Sequence, residues 1–267
     1  MAEHLRLSPD EKGALERDGF VVRERVFDAR ELHEIAGACE ELCQRLLDLR
    51  RKRKWPVGSY VFELQRELNT MVKWETHDHD ALQGVEPFAH LSEPLRLWAH
   101  DPRFLEPMKD VVGIDEIGLF TEKLNVKRGH VGGPIVLHQD HPYWVDVAEN
   151  ADEVGTAMLF LDDATLENGC LEVVPGSHRS GEAPRRELAD GDFGQFEMDR
   201  DRFDHARLVP LVVPAGTVVY FGPYLVHQSQ HNHTERDRRA LLYSYQPAGR
   251  RTLQDVQARQ YAKPRSA

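Results

Sequence analysis

Three residues of this chain have the types and spacing that a metal centre needs. His138 and Asp140 are separated only by Gln139, and His227 lies far downstream in the run 220–229. Side chains alternate faces along a strand, so the pattern predicts a strand with His138 and Asp140 on the same side. A distant histidine on a neighbouring strand, His227, then completes three ligands on one face of a metal. Two imidazoles and one carboxylate leave three coordination positions open, the donor set with which non-haem Fe(II) oxygenases admit a co-substrate and dioxygen. An H-x-D triplet alone is common, so the rest of the sequence must carry the argument.

The elements that would position these residues change character along the chain. Ser8-Pro9-Asp10-Glu11 is a capping box with proline at the first helical position and predicts a helix running towards Arg17. Residues 19–22 read as a strand. Leu32, Ile35, Ala36, Cys39, Leu42, Cys43, Leu46 and Leu47 then recur at helical spacing. That second helix ends in the basic run 50–54, read as a solvated helix end favoured by the macrodipole rather than as an attractor for an anionic substrate. From about Asp115 short β-type segments follow at 117–126, 135–140, 156–161, 171–174, 208–213, 217–221 and 240–245. Short strands separated by turn residues predict a sandwich or jelly roll rather than βαβ units. The expected organisation is a single domain over 1–267. Residues 1–110 form a helical N-terminal part packed on a barrel, 115–249 the jelly-roll core, and 250–267 a peripheral tail. The charged stretch 180–207 is an insertion of the length that acts as a lid or simply stays solvated.

Composition narrows the function classes. The chain has 267 residues, 40% hydrophobic and 30% charged, with a formal charge of -11, which argues against a general nucleic-acid binder. No apolar run approaches the roughly 18 residues of a membrane span, and the first residues lack a signal-peptide core, so the expected location is the cytoplasm. Cys39, Cys43 and Cys170 form no disulfide framework and read as buried thiols.

Other histidines compete for notice. His178 follows Pro175-Gly176-Ser177 and reads as a turn residue; His231 and His233 read as loop residues after a strand; His141 should face away from the metal. His77-Asp78-His79-Asp80 resembles half of a binuclear metallohydrolase signature, but the spacing is wrong, and a polar loop at the substrate mouth fits better. The chain has no G-x-S-x-G, no P-loop and no G-x-G-x-x-G.

Between the proposed ligands lies NGCLEVVPGSH, residues 168–178. Together with LSPDEKGALERDGFVVRERVFDARELHEI near the N-terminus, HQD, and FGPYLVHQSQHNHTERDRRA, it resembles the phytanoyl-CoA dioxygenase-like family of Fe(II)/2-oxoglutarate oxygenases. The resemblance spans most of the chain, with 50–110 and 180–207 the least diagnostic. It implies a mainly β fold with flanking α-helices, a double-stranded β-helix of cupin-like jelly-roll type, with iron held by His138, Asp140 and His227. It also implies that Arg238, eleven residues after His227, pairs with the far carboxylate of 2-oxoglutarate. A planar guanidinium suits that task, and strand alternation should turn its neighbour Arg239 the other way. Ser229 matches a hydroxyl assisting the same carboxylate. Asn125 matches a co-substrate contact, and Trp144 matches an aromatic near the co-substrate, although core packing is the blander role for a tryptophan.

The implied cofactors are Fe(II), 2-oxoglutarate and O2. The implied reaction is hydroxylation of an unactivated C–H bond of a small-molecule metabolite or natural-product intermediate, with succinate and CO2 released. Related halogenases carry a small residue at the position of Asp140, so this chain reads as a hydroxylase, with desaturation and cyclisation also open. The expected partner is a small-molecule substrate, with no nucleic acid and no membrane. Two other classes compete: a cupin-like metal-binding protein without turnover, and a zinc or manganese hydrolase or isomerase. No residue pattern names the substrate.

Overall fold

The computed structural model describes residues 3–49, 54–57, 60–78, 80–183, 198, 204 and 207–256. The elements, in chain order, are α1 Pro9–Asp18, β1 Phe20–Arg23, α2 Ala29–Asp48, β2 Trp55–Val57, β3 Tyr60–Gln65, β4 Thr70–Trp74, β5 Leu82–Glu86, α3 Glu93–Trp98 and α4 Pro102–Val112. There follow β6 Ile117–Lys127, β7 Ile135–His138, α5 His141–Trp144, β8 Gly155–Phe160, β9 Leu171–Val173, β10 Val209–Leu211, β11 Val218–Phe221, β12 His227–Ser229 and β13 Arg238–Pro247. The predicted capping box at Ser8 forms, and Asp28 with Glu31 forms a second one at the start of α2. Each box satisfies backbone N–H groups that a helix start would otherwise leave unpaired.

The described strands make two sheets. The major sheet has the order β1-β11-β8-β13-β6-β5-β4-β3-β2, and the minor sheet β10-β9-β12-β7, both antiparallel throughout. This is the expected mainly β jelly roll with flanking helices. The major sheet sorts its side chains by the two-residue period of a strand. On β13, Leu241, Tyr243 and Tyr245 join the core against the helices, while Ala240 and Leu242 face the minor sheet. On β8, Ala157 and Leu159 join the first group, and Met158 and Phe160 the second. On β6, Leu124 and Val126 take the helix side, which leaves Lys123, Asn125 and Lys127 on the other face. The amphipathic α2 closes the helix side with Ile35, Cys39, Leu42, Cys43 and Leu46. The tyrosine hydroxyls there donate to helix carbonyls, Tyr243 to Leu95 and Tyr245 to Ala99 at 2.7 Å.

The N-terminal part departs from its expected helical character. Residues 55–86 carry β2 to β5, which extend the major sheet past β6. Val61, Val72, Trp74 and Val85 bury one face of this extension, with Val61 on β3, Val72 and Trp74 on β4 and Val85 on β5. Only residues 250–256 of the expected peripheral tail lie among the described residues, and there Leu253 packs with Phe120 and Trp144. Of the basic run 50–54 only Lys54 is described, its ammonium 3.8 Å from the centre of the Trp74 ring. Most of 180–207, and with it the lid reading, lies outside the described residues. Among the described residues no helix is long and apolar enough to cross a membrane.

Glu122 lies on the helix side of β6, where it accepts the backbone N–H of Phe88 at 2.8 Å and that of Ala89. Burial pushes its carboxyl up to about 7, outweighing those two donors. A raised folded-state value means the folded chain holds its proton more tightly than the unfolded one. Stability from this group is therefore full below the ordinary glutamate value and is lost as pH rises towards about 7. Thermal melts between pH 5 and 8 should show stability falling with pH in the wild type, and a flatter profile in Glu122→Gln, which keeps the acceptor oxygen. Identical slopes in the two proteins would refute the assignment.

Candidate active site

His138 is the last residue of β7 and His227 the first of β12, and the two are direct partners across the antiparallel pair. Their ring centroids lie 4.1 Å apart. Each ring is held by its own strand: His138 Nδ1 lies 2.7 Å from Val136 O, and His227 Nδ1 lies 2.9 Å from Leu225 O. A carbonyl oxygen can only accept, so Nδ1 carries the proton in both rings. Each Nε2 lone pair is then free for a metal, the arrangement that outer hydrogen bonds impose on ligating histidines.

Asp140 reaches the same place by a different route from the one expected. β7 stops at His138, and Asp140 has helical backbone angles (φ -75, ψ -33) at the start of α5. Pro142 in the first turn favours that helix start. The carboxylate still comes round to lie 3.7 Å from His138 Nε2. Between the two, Gln139 turns away and ties down the backbone: its amide donates to Gly181 O and Tyr224 O, and its oxygen accepts from Ala183 N. The ligand atoms of His138, Asp140 and His227 all lie within 4.8 Å of one another, and no other such group occurs among the described residues.

The electrostatics favour metal binding near neutral pH. Burial disfavours an ionised Asp140, but the contact with His138 and the charges of His227 and Lys123 outweigh it and hold the carboxyl below the usual range. Burial, and then the neighbouring His138, push the His227 imidazole down to about 4. An anionic carboxylate beside a neutral His227 is the protonation state a cation requires.

The three residues line a cavity of about 130 Å³ between the sheets. Arg238, Ser229 and Asn125 line it as well. Arg238 opens β13, is 1% exposed, and donates through Nη2 to Gly169 O at 2.7 Å. Gly169 has φ +74, and a Cβ there would lie 2.2 Å from Gln230 O, so only glycine lets these two loops meet beside the guanidinium. Arg238 Nε and Ser229 Oγ are buried with no hydrogen-bond partner among the described residues. Burial lowers the Arg238 guanidinium to about 10, and no carboxylate among the described residues pairs with it. Arg239 points the other way, as alternation predicts, with Asp162 at 2.8 Å and Glu40 at 3.1 Å. Asn125 sits between Ala240 and Gly84 on the neighbouring strands.

Trp144 is not brought to this cavity. It is 4% exposed in a separate cluster, edge-on to Phe120 with centroids 5.5 Å apart. The aromatic that does line the cavity is its neighbour Tyr143, edge-on to His138 at 5.6 Å. The helical turn after Asp140 decides this, because it rotates the two residues to different sides. Lys73, Glu86 and Lys123 also line the cavity and were not singled out from the sequence. The alternation Lys123-Leu124-Asn125-Val126-Lys127 was the available signal. The other histidines stay outside the triad. His231 stacks on His233 at 4.8 Å, His178 packs against Gly19, and His141 stacks on Tyr224 with Nδ1 3.2 Å from Glu182.

An open face of two imidazoles and a carboxylate, with an unpaired guanidinium and hydroxyl in the same cavity, fits a metal plus a carboxylate-bearing co-substrate. The family model of phytanoyl-CoA dioxygenase (PhyH) matches residues 15–240. The chain belongs to that family. It is a 2-oxoglutarate-dependent non-haem iron dioxygenase, with Fe(II), 2-oxoglutarate and O2 as cofactors. Similar proteins include phytanoyl-CoA dioxygenase domain-containing protein 1 of Rattus norvegicus, 25% identical with 89% of each chain covered. The L-proline trans-4-hydroxylase of Streptomyces griseoviridis is 33% identical over 48% of this chain and 53% of that one. Among solved structures, EctD from S. alaskensis with 2-oxoglutarate and 5-hydroxyectoine has a TM-score of 0.68 at 21% identity, covering 92% of this chain and 78% of that one. The carbocyclase SnoK from nogalamycin biosynthesis has a TM-score of 0.66 at 23% identity, covering 95% and 90%. These structural likenesses bear on the fold.

The placement of Trp144 yields a test. Trp144→Ala should cost about 3 kcal/mol of stability through the cavity it leaves, while changing the KM for 2-oxoglutarate less than about twofold. A large rise in KM with unchanged stability would mean that the tryptophan contacts the co-substrate after all.

Proposed function

We propose that this PhyH-family enzyme hydroxylates an unactivated C–H bond of a small molecule, with His138, Asp140 and His227 binding Fe(II), and Arg238 and Ser229 receiving the far carboxylate of 2-oxoglutarate. The observation that carries this reading is Arg238. A buried guanidinium with an unpaired Nε, in the same cavity as the triad, is costly to the free protein and needs an anion to complete it. A metal-binding protein without turnover has no use for that clamp, and neither has a hydrolase that needs only metal-bound water. The sequence likeness to an L-proline trans-4-hydroxylase supports hydroxylation as the outcome.

When bound, iron, 2-oxoglutarate and dioxygen supply the oxidising power for oxygen insertion, 2-oxoglutarate leaving as succinate and CO2. The chain's own residues bind, orient and exclude water. Arg238 offers Nε and its remaining N–H donors in a planar fork, which fixes the direction of a carboxylate and not only its charge. Ser229 Oγ adds a hydroxyl from the minor sheet. Asn125 presents an amide from the major sheet. Leu171, Met158 and Leu242 line the wall between them and keep that part of the cavity apolar. Holding the reactants in one geometry is itself a large part of the catalytic effect.

Asp140→Ala should abolish Fe(II) binding and 2-oxoglutarate-dependent succinate formation while leaving the fold intact by circular dichroism. Normal turnover in that variant would remove Asp140 from the ligand set. Arg238→Ala should raise the KM for 2-oxoglutarate by roughly 30-fold or more, as expected for a desolvated ion pair. Arg239→Ala should act mainly on stability, by breaking the contacts with Asp162 and Glu40. Steady-state kinetics beside thermal melts would read both, and the reverse order of effects on KM would overturn the clamp.

A further inference from the structure

The cavity has a second charged end that the reading above does not use. Along β6 the inward-facing residues run Lys127, Asn125, Lys123, and their partners on β13 are Arg238, Ala240 and Leu242. Lys123 therefore stands four residues along the strand from the position opposite Arg238, roughly 13 Å away at the rise of a β-strand. It is nevertheless close enough to the triad for its charge to be felt by Asp140 and His227. Lys123 Nζ lies 3.2 Å from Glu86 Oε2, and the other oxygen of Glu86 accepts from Thr121 Oγ1 at 3.0 Å. Lys73, on the next strand, lines the same region. The body of this end is apolar and aromatic, made by Phe62, Met71 and Tyr143.

We infer that Glu86 and Lys123 read the two charges of a small zwitterion, a free α-amino acid or a close derivative that keeps both its ammonium and its carboxylate. This inference rests on the proposed function, which assigns the Arg238 end to 2-oxoglutarate and leaves the Glu86–Lys123 end to the substrate. Glu86 is fixed by Thr121, so one of its oxygens is oriented to accept from an ammonium group. Lys123 offers the complementary cation to a carboxylate, with Lys73 adding positive charge on the same wall. The pair is only partly exposed, Lys123 32% and Glu86 14%, so its remaining hydrogen-bonding capacity favours a ligand that meets it. A ligand that brings one charge of each sign meets it without adding net charge, and Phe62, Met71 and Tyr143 suit an aliphatic body.

The test is substrate-stimulated succinate formation by the iron-loaded enzyme with 2-oxoglutarate. The probes are the protein amino acids, their N-acetyl and methyl-ester counterparts, and acyl-coenzyme A thioesters. At least one free amino acid should stimulate, with both blocked forms weaker by about tenfold or more, the size expected for losing a hydrogen bond to a charged group. Glu86→Gln should shrink the preference for the free amine over the N-acetyl form, and Lys123→Met the preference for the free acid over the ester, each by roughly tenfold. These preferences are ratios within one folded protein, so a general loss of activity does not mimic them. Stimulation by thioesters alone, equal stimulation by blocked forms, or unchanged preferences in both variants would overturn the inference. So would 2-oxoglutarate binding, seen as a rise in Tm, with no response to any free amino acid. If 2-oxoglutarate neither raises Tm nor yields succinate, the proposed function itself fails.

Discussion

The pairing of β12 with β7 is the contact on which the site depends. It sets His227 directly opposite His138, and both rings are turned by hydrogen bonds to carbonyls of their own strands. Neither ring relies on a flexible loop for its orientation. The Asp140 carboxylate is positioned by a chain turn, and Gln139 anchors that turn to Gly181, Ala183 and Tyr224. Backbone pairing and the two carbonyl contacts fix both imidazoles. Preorganisation of this kind avoids an ordering cost at the moment of binding.

The major sheet contributes the opposite wall and carries an electrostatic cost for doing so. Lys127 and Arg238 face each other directly across β6 and β13, both almost fully buried. Burial, and then the neighbouring Arg238, push the Lys127 ammonium well below its usual range. Lys127 is partly compensated, since its ammonium donates to the carbonyls of Gly133 and Gln230. Glu75 is close enough to feel that charge. Arg238 keeps an unpaired Nε. A sequence selected only for stability would not bury two basic side chains face to face, and local rules are broken in this way chiefly where function demands it.

Much of this was legible in the residues themselves. Alternation along β13 separated Arg238 from Arg239 correctly, because a period of two survives any small error in strand ends. The capping box at Ser8 and the apolar spacing of α2 located both helices for the same reason: local chemistry fixes them. What the sequence hid was set by long-range packing. The strands over 55–86 carry charged residues on the face lining the cavity, such as Lys73 and Glu86, so their pattern did not read as a sheet. Asp140 was assigned to a strand because H-x-D fits one, whereas a helix with Pro142 in its first turn begins directly after it. That one-turn difference also exchanged Trp144 for Tyr143 at the cavity wall. Lys123 was overlooked because a lysine in a strand usually faces solvent, and only the packing of the strands shows that this one also lines the cavity.

The central claim is that the His138–Asp140–His227 face holds iron with positions open to a chelating co-substrate whose far end reaches Arg238. Anaerobic titration of the Fe(II)-loaded protein with 2-oxoglutarate, followed by visible absorption, tests it directly. The account predicts one iron per chain and a metal-to-ligand charge-transfer band that saturates with one equivalent of 2-oxoglutarate. Iron that binds at that stoichiometry without the band appearing at saturating 2-oxoglutarate would contradict it.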